Sequence, residues 1–228
     1  MCGRFALVEP LPEVAALFAF PLGDVAAGGE GRRVYNIAPQ APILAVVWEG
    51  GRRRGAWLRW GLVPAWAEDA GAGARMFNAR AETASTRPAF RQAFARRRCL
   101  VPATAFYEWE RRAGGPPQAH AYRGADGRPL ALAGIWEENR RALPGVVLRT
   151  ASILTVPASP PVAAVHDRMP LVLPPERWEA WLRPDTEAER VKGLLAAEDG
   201  VALVDVRVGS RVNSPRHDDP SCLEPAPA

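Results

Sequence analysis

Six apolar runs of strand length constrain this chain more than any other feature: Ile43–Trp48, Trp57–Leu62, Cys99–Ala103, Leu130–Ile135, Ser152–Val156 and Val201–Val208. Each is rich in Val, Ile, Leu or Trp and is too short to form a buried helix. Helical signals are fewer. Leu11–Phe18 follows Pro10, and Pro88–Arg97 carries Phe90 and Phe94 four residues apart on one face. Pro175–Leu182 and Thr186–Ala197 complete the set, the latter with Thr186 as N-cap and Glu189 three residues on. The strands do not alternate with helices, so a doubly wound parallel sheet is excluded. The pattern predicts an α+β class: one β-rich domain over residues 1–228, with a mixed, mostly antiparallel, barrel-like sheet and a few peripheral helices.

The 228 residues are 48% apolar, enough to bury a substantial core. The Gly-rich segments Gly23–Arg33 and Glu68–Arg75 read as loops, Arg111–Gln118 (RRAGGPPQ) as a hairpin connection, and the proline-rich tail 215–228 as extended chain. No apolar run approaches the ~20 residues that span a bilayer, and MCGRFALVEP lacks the charged start and apolar middle of a signal peptide. A cytoplasmic protein without a membrane partner is expected. Cys2, Cys99 and Cys222 lack the CxxC spacing of a zinc site, so free thiols and no metal are expected. Cys99 reads as a small core residue and Cys222 as an inert surface one. The net charge is only +4, but Lys192 is the sole lysine. Arginine suits phosphate and base recognition, and a GC-rich genome would produce the same bias.

Four segments carry groups with chemical potential. Removal of Met1 ahead of a small second residue would leave Cys2 with an α-amine and a thiol on adjacent carbons. Such an aminothiol condenses with an aldehyde to an imine, which the thiol then closes to a thiazolidine. The amine has an ordinary pKa of ~7.7–8.0, so part of it is neutral near pH 7. Cys2 is equally readable as a small residue leading into the first strand. In Arg98–Trp109 (RCLVPATAFYEW), Glu108 stands between Tyr107 and Trp109. Aromatic surroundings desolvate a carboxyl and raise its pKa toward acid–base duty, whereas strict alternation would leave it facing solvent. His166, with Asp167 and Arg168 beside it, can exchange protons near neutrality or serve as a hydrogen-bonded structural residue. In Phe77–Thr83 (FNARAET), Asn78, Arg80 and Glu82 share a face if the segment is extended, but the same residues suit an exposed helix.

The segments MCGRF (1–5), YNIAP (35–39), WGLVPAW (60–66), NARAET (78–83), RCLVPATAFYEW (98–109), LAGIW (132–136), HDRMPLVL (166–173) and NSPRHDD (213–219) occur in order across nearly the whole chain. In them the sequence resembles the SRAP (SOS-response-associated peptidase-like) family, which processes abasic sites. The resemblance implies that mature Cys2 forms a thiazolidine with the ring-opened sugar of an abasic site in single-stranded DNA, shielding the lesion during the damage response. It assigns Asn78 to positioning the linkage, Glu108 to acid catalysis and His166 to sugar opening and imine chemistry. It makes Arg4, Pro39, Trp66 and Arg80 the DNA-contacting set, and it implies no cofactor, a monomer, and nucleoid association when bound. Autoproteolytic removal of Met1 is part of the same picture, and with it a peptidase or hydrolase label. The chain departs from the family at Ala105, where relatives carry glycine, and in having one tryptophan after Pro64 where some have two.

Two other functional classes fit the same residues. An N-terminal-nucleophile hydrolase would use Cys2 on an amide with Asn78 serving the oxyanion. A non-covalent single-strand-binding module would use the arginines and Trp66 alone.

Overall fold

A computed structural model describes residues 2–26, 33–196 and 200–227. Met1, residues 27–32 of the expected loop Gly23–Arg33, Ala197 of the last expected helix and Ala228 lie outside the described residues. In chain order the elements are β1 (Phe5–Leu7), α1 (Leu11–Phe18), β2 (Val34–Ile37), β3 (Pro42–Glu49), β4 (Arg52–Trp60), β5 (Asn78–Arg80), α2 (Ala81–Ala84), α3 (Arg91–Arg96), β6 (Arg98–Ala103), β7 (Ala105–Glu110), β8 (Gln118–Gly124), β9 (Leu130–Asn139), β10 (Leu148–Pro157), β11 (Arg168–Pro170), α4 (Pro175–Leu182), α5 (Ala188–Gly193) and β12 (Leu203–Arg207).

The expected barrel-like α+β architecture is present. Strands β10, β4, β3, β6 and β9 pair in that order, and β9 pairs back onto β10, closing the ring. All ring pairings are antiparallel except β10 with β4. Beyond β4, the same edge of β10 takes β5 in parallel register, with Ile153 opposite Asn78. The β3–β4 turn rests on Gly50 and Gly51, at φ 61° and 76°. Both lie in the left-handed region that a two-residue hairpin turn requires, which aligns Glu49 with Arg52. The strand therefore starts before the apolar run at Trp57; its first residues are arginines, which hide a strand from hydrophobic periodicity.

The second sheet has the order β12-β8-β7-β1-β2. The two-residue period of β7 and β8 gives it two different faces. Phe106 and Tyr122, stacked with centroids 5.2 Å apart, join Phe5 in the main core. Phe5 meets Trp60 of the barrel edge-on at 5.1 Å. The opposite face bears Ala6, Ala105, Tyr107, Ala119 and Ala121, and Val208, Val212 and Cys222 pack onto it. This corrects the reading of the tail as extended chain and of Cys222 as a surface residue. The alanines leave a shallow apolar groove, and the tail fills it through short 3-10 turns at Ser210–Asn213 and Pro220–Cys222, burying Cys222 completely.

Two further expectations shift. Helix α5 starts at Ala188 without a side-chain cap, because the Thr186 N–H turns back to Arg183 O at 3.2 Å and extends the exit turn of α4. The segment Asn78–Glu82 is strand only to Arg80, after which α2 begins, so Glu82 does not share an extended face with Asn78.

Arg98 joins α3, α4 and the barrel. Its guanidinium is buried and donates to Phe94 O and Ala95 O at 2.8 Å and to Trp181 O and Arg183 O at 2.5 Å. It thereby satisfies carbonyls in the last turns of two helices. Burial lowers its pKa to about 10, so it stays charged at neutral pH. Arg98→Met should destabilise the fold by about 3 kcal/mol, since it orphans several buried acceptors at once; urea unfolding measures it.

Candidate active site

Pairing of β1 with β7 dictates where Cys2 falls. Phe5 is opposite Phe106 and Ala6 opposite Ala105, while the Tyr107 N–H donates to Arg4 O at 2.9 Å. The strands are antiparallel, so continuing back from Arg4 carries the chain past Glu108, and the Glu108 charge acts on the Cys2 thiol. From the other side, β5 carries Asn78, whose Nδ2 donates to Cys2 O at 2.7 Å. Cys2 is completely buried, and its Sγ lies 3.7 Å from Arg4 O. Burial pushes the thiol pKa up, and the negative charge of Glu108 raises it further.

Glu108 is only 3% exposed. Desolvation pushes its pKa up to about 7, and the nearby Asp167 charge acts in the same direction. At neutral pH the carboxyl is thus present in both protonation states, the condition for giving and taking a proton in one cycle. Asp167 belongs to the corner that carries His166. The Arg168 N–H donates to His166 Nδ1 at 3.0 Å, and the Asp167 carboxylate lies 2.9 Å from the same nitrogen. Asp167 is 86% exposed, the Arg168 N–H points at Nδ1, and burial lowers the His166 pKa. We therefore assign a neutral ring with Nδ1 as acceptor and the proton on Nε2. Arg168 pins this corner through a bidentate pair with Glu82 at 2.6 and 3.0 Å and a contact to Thr155 O. That pair holds the Glu82 carboxyl below its ordinary pKa.

The structure therefore joins Cys2 and Asn78 by a hydrogen bond and sets Glu108 within electrostatic reach of both Cys2 and the His166–Asp167 corner. The expected DNA-contacting residues are spread more widely. Trp66 is 59% exposed and, with Asn78, lines a cleft of about 410 Å3. Arg80 is exposed at the end of β5. Pro39 is half-buried in the turn between β2 and β3. Arg4 is already engaged: it donates to Asn36 Oδ1 at 2.7 Å and Val212 O at 3.0 Å and lies over the Trp109 ring. The larger hollows, of about 620 and 550 Å3, lie along α4–α5 and α3 and contain none of the candidate site residues.

Sequence reading missed several cleft residues. Arg75 and Arg87 line it beside Met76, Pro88 and Phe90. Nothing in the sequence separates these two arginines from the other surface arginines. It also missed Asn36, whose buried Nδ2 donates to Val212 O, Ser214 O and His217 O and so ties the tail to β2 beneath Arg4. Among the described residues no group of three or more His, Cys, Asp or Glu could hold a metal, and no helix is long and apolar enough to cross a membrane.

Comparison with known proteins identifies the family of the chain. Residues 1–215 match the family model for SOS response associated peptidase (SRAP). The chain is 35% identical over 225 residues to the abasic site processing protein YoqW of Bacillus subtilis, covering 98% of this chain and 99% of that protein. It is 28% identical over 201 residues to the abasic site processing protein YedK of Escherichia coli, covering 86% of each. The abasic site processing protein HMCES of Gallus gallus is 32% identical over 74% of this chain and 56% of that longer protein. The fold is shared with a crystal structure of a protein from Bacteroides thetaiotaomicron, at a TM-score of 0.85 and 22% identity over 99% of this chain and all of that one. The chain belongs to the SOS response associated peptidase family.

Proposed function

We propose that this protein processes abasic sites in single-stranded DNA by forming a covalent thiazolidine through Cys2 after Met1 is removed. The relatives reported above are named abasic site processing proteins. The observation that carries the reading is the junction of Cys2, Asn78 and Glu108: the chain's second residue is buried, held by its carbonyl, and placed beside a carboxyl that titrates near pH 7.

The chemistry follows from these groups. The closed sugar must open to expose its aldehyde, which a neutral imidazole Nε2–H at His166 and the Glu108 carboxyl can assist by proton transfer. The Cys2 amine adds to the aldehyde carbon, a protonated Glu108 delivers a proton to the departing hydroxyl, and water leaves as the imine forms. The imine is left protonated, with Glu108 as carboxylate; the thiol then gives its proton to that carboxylate, sulfur bonds to the imine carbon, and the C=N pair returns to nitrogen, which keeps its N–H and ends as a neutral ring amine. The raised thiol pKa favours this order, with the amine first and the thiol second. Asn78 holds the Cys2 carbonyl, and hence the amine and side chain, during both steps. A sugar is most cheaply presented outside a duplex stack, which favours single-stranded DNA.

Incubation with an abasic single-stranded oligonucleotide, followed by denaturing electrophoresis and intact-mass measurement, tests this directly. The expected product is a shifted band whose mass equals Met1-less protein plus DNA minus one water. Amide turnover without an adduct would favour an N-terminal hydrolase instead. Binding should weaken with salt, and Arg87→Gln should reduce the slope of log K against log salt by about 0.7, the contribution of one phosphate in a single strand. An unchanged slope would remove Arg87 from the DNA-contacting surface.

A further inference from the structure

Trp66 stands at the tip of a tight turn. The Ala67 N–H donates to Pro64 O at 2.9 Å, so Ala65 and Trp66 are its two central residues. Pro64 and Ala67 are buried while the indole projects into solvent at the cleft mouth. Exposed turns of this kind are ordinarily mobile. Here the turn is clamped from beneath by Asn139, the last residue of β9, which is 0% exposed. Its Nδ2 donates to Pro64 O at 2.6 Å and Ala67 O at 2.7 Å, the two ends of the turn. Its Oδ1 accepts the N–H groups of Arg141 and Ala142 at 2.8 and 2.7 Å. Both amide protons and both lone pairs are thus used. The partners are carbonyls on one side and N–H groups on the other, so the amide can face only one way.

We propose that Asn139 is the positioning residue for Trp66: it fixes the indole at the cleft mouth in the orientation a nucleic-acid base stacks upon, and locks that turn to the tip of the β9–β10 hairpin. This rests on the reading of Trp66 as a stacking platform for DNA. A loose indole would have to be ordered each time DNA binds, with a loss of affinity; a clamped one is ordered once, on folding. Replacing all four hydrogen bonds by water would free the turn while leaving Cys2, Asn78 and Glu108 untouched.

The test is a double-mutant cycle in equilibrium binding of fluorescently labelled, lesion-free oligothymidylate, with wild type, Trp66→Ala, Asn139→Ala and the double variant measured below their melting temperatures. Trp66→Ala is expected to weaken binding on the order of tenfold, and Asn139→Ala roughly threefold or more through lost pre-organisation. The double variant should bind no more weakly than Trp66→Ala alone, because Asn139 acts only through the indole. The maximal cross-linking rate at saturating abasic DNA should be unchanged in Asn139→Ala. Asn139→Ser keeps one donor and one acceptor and should fall between wild type and alanine; it replaces the alanine variant if that does not fold. Additive weakening in the double variant would overturn the proposal, as would wild-type affinity of the Asn139 variants alongside a weakened Trp66→Ala. Wild-type affinity of Trp66→Ala itself would instead overturn the stacking role on which the proposal rests.

Discussion

Cys2→Ala is expected to abolish the denaturation-resistant adduct with abasic single-stranded DNA completely, because no other residue supplies a thiol and an α-amine on adjacent carbons. The fold should survive. Cys2 is fully buried, so removing its sulfur leaves a small cavity, at a cost of about 1 kcal/mol. Cys2→Ser separates the two halves of the chemistry. It retains the amine and should still form an imine that borohydride traps, yet it closes no stable sulfur-containing ring. Wild-type adduct yield in Cys2→Ala, in protein shown by mass to have lost Met1, would end the proposed mechanism. Protein that keeps Met1 should behave like Cys2→Ala, since its Cys2 nitrogen is an amide.

Glu108→Gln is expected to slow adduct formation by about two to four orders of magnitude, the usual contribution of a positioned acid–base group. It should also flatten the pH dependence near 7, where the wild-type carboxyl titrates. The same substitution should stabilise the protein in alkaline solution. The folded-state pKa is raised from 4.5 to about 7, so between these values the folded chain keeps a proton that the unfolded chain has released. Stability therefore falls as pH rises through that window, by at most about 3 kcal/mol, and the loss is complete above it. Glutamine is neutral at every pH and escapes the penalty. Thermal melts should show Glu108→Gln close to wild type near pH 4.5 and clearly more stable at pH 8. A variant that is fast, or that gains no stability at pH 8, would contradict the role of Glu108. Stability given up to hold a carboxyl away from water is the expected signature of a functional site.

Legibility in the sequence followed the local signals available. Helices α1 and α4 fall where the proline-led apolar patterns place them, because proline at the first turn and the repeat of buried residues are local facts. The six apolar runs all contain strands, but β8 (QAHAYRG) was not among them: its buried face of His120 and Tyr122 is part polar and its other face is alanine, so neither hydrophobicity nor size marks it. The tail failed for a related reason. Its prolines signal extended chain, whereas its burial depends on the alanine groove of a sheet formed by residues a hundred positions earlier.

The site divides along the same line. The sequence by itself determined the reactive groups, since an aminothiol, a carboxyl among aromatic residues and an imidazole are properties of residue types and their neighbours. It also determined the β-rich class, through run length and turn chemistry. Only the tertiary structure decided that Asn78 reaches the Cys2 carbonyl, that Glu108 is sealed from water beside Cys2, that Arg87 and Arg75 share a cleft with Trp66, and that Asn139 clamps the Trp66 turn. Those are long-range facts of strand register and barrel closure. A carboxyl's pKa and an amide's partners depend on what lies across the fold, and local sequence does not encode the solvent that folding excludes.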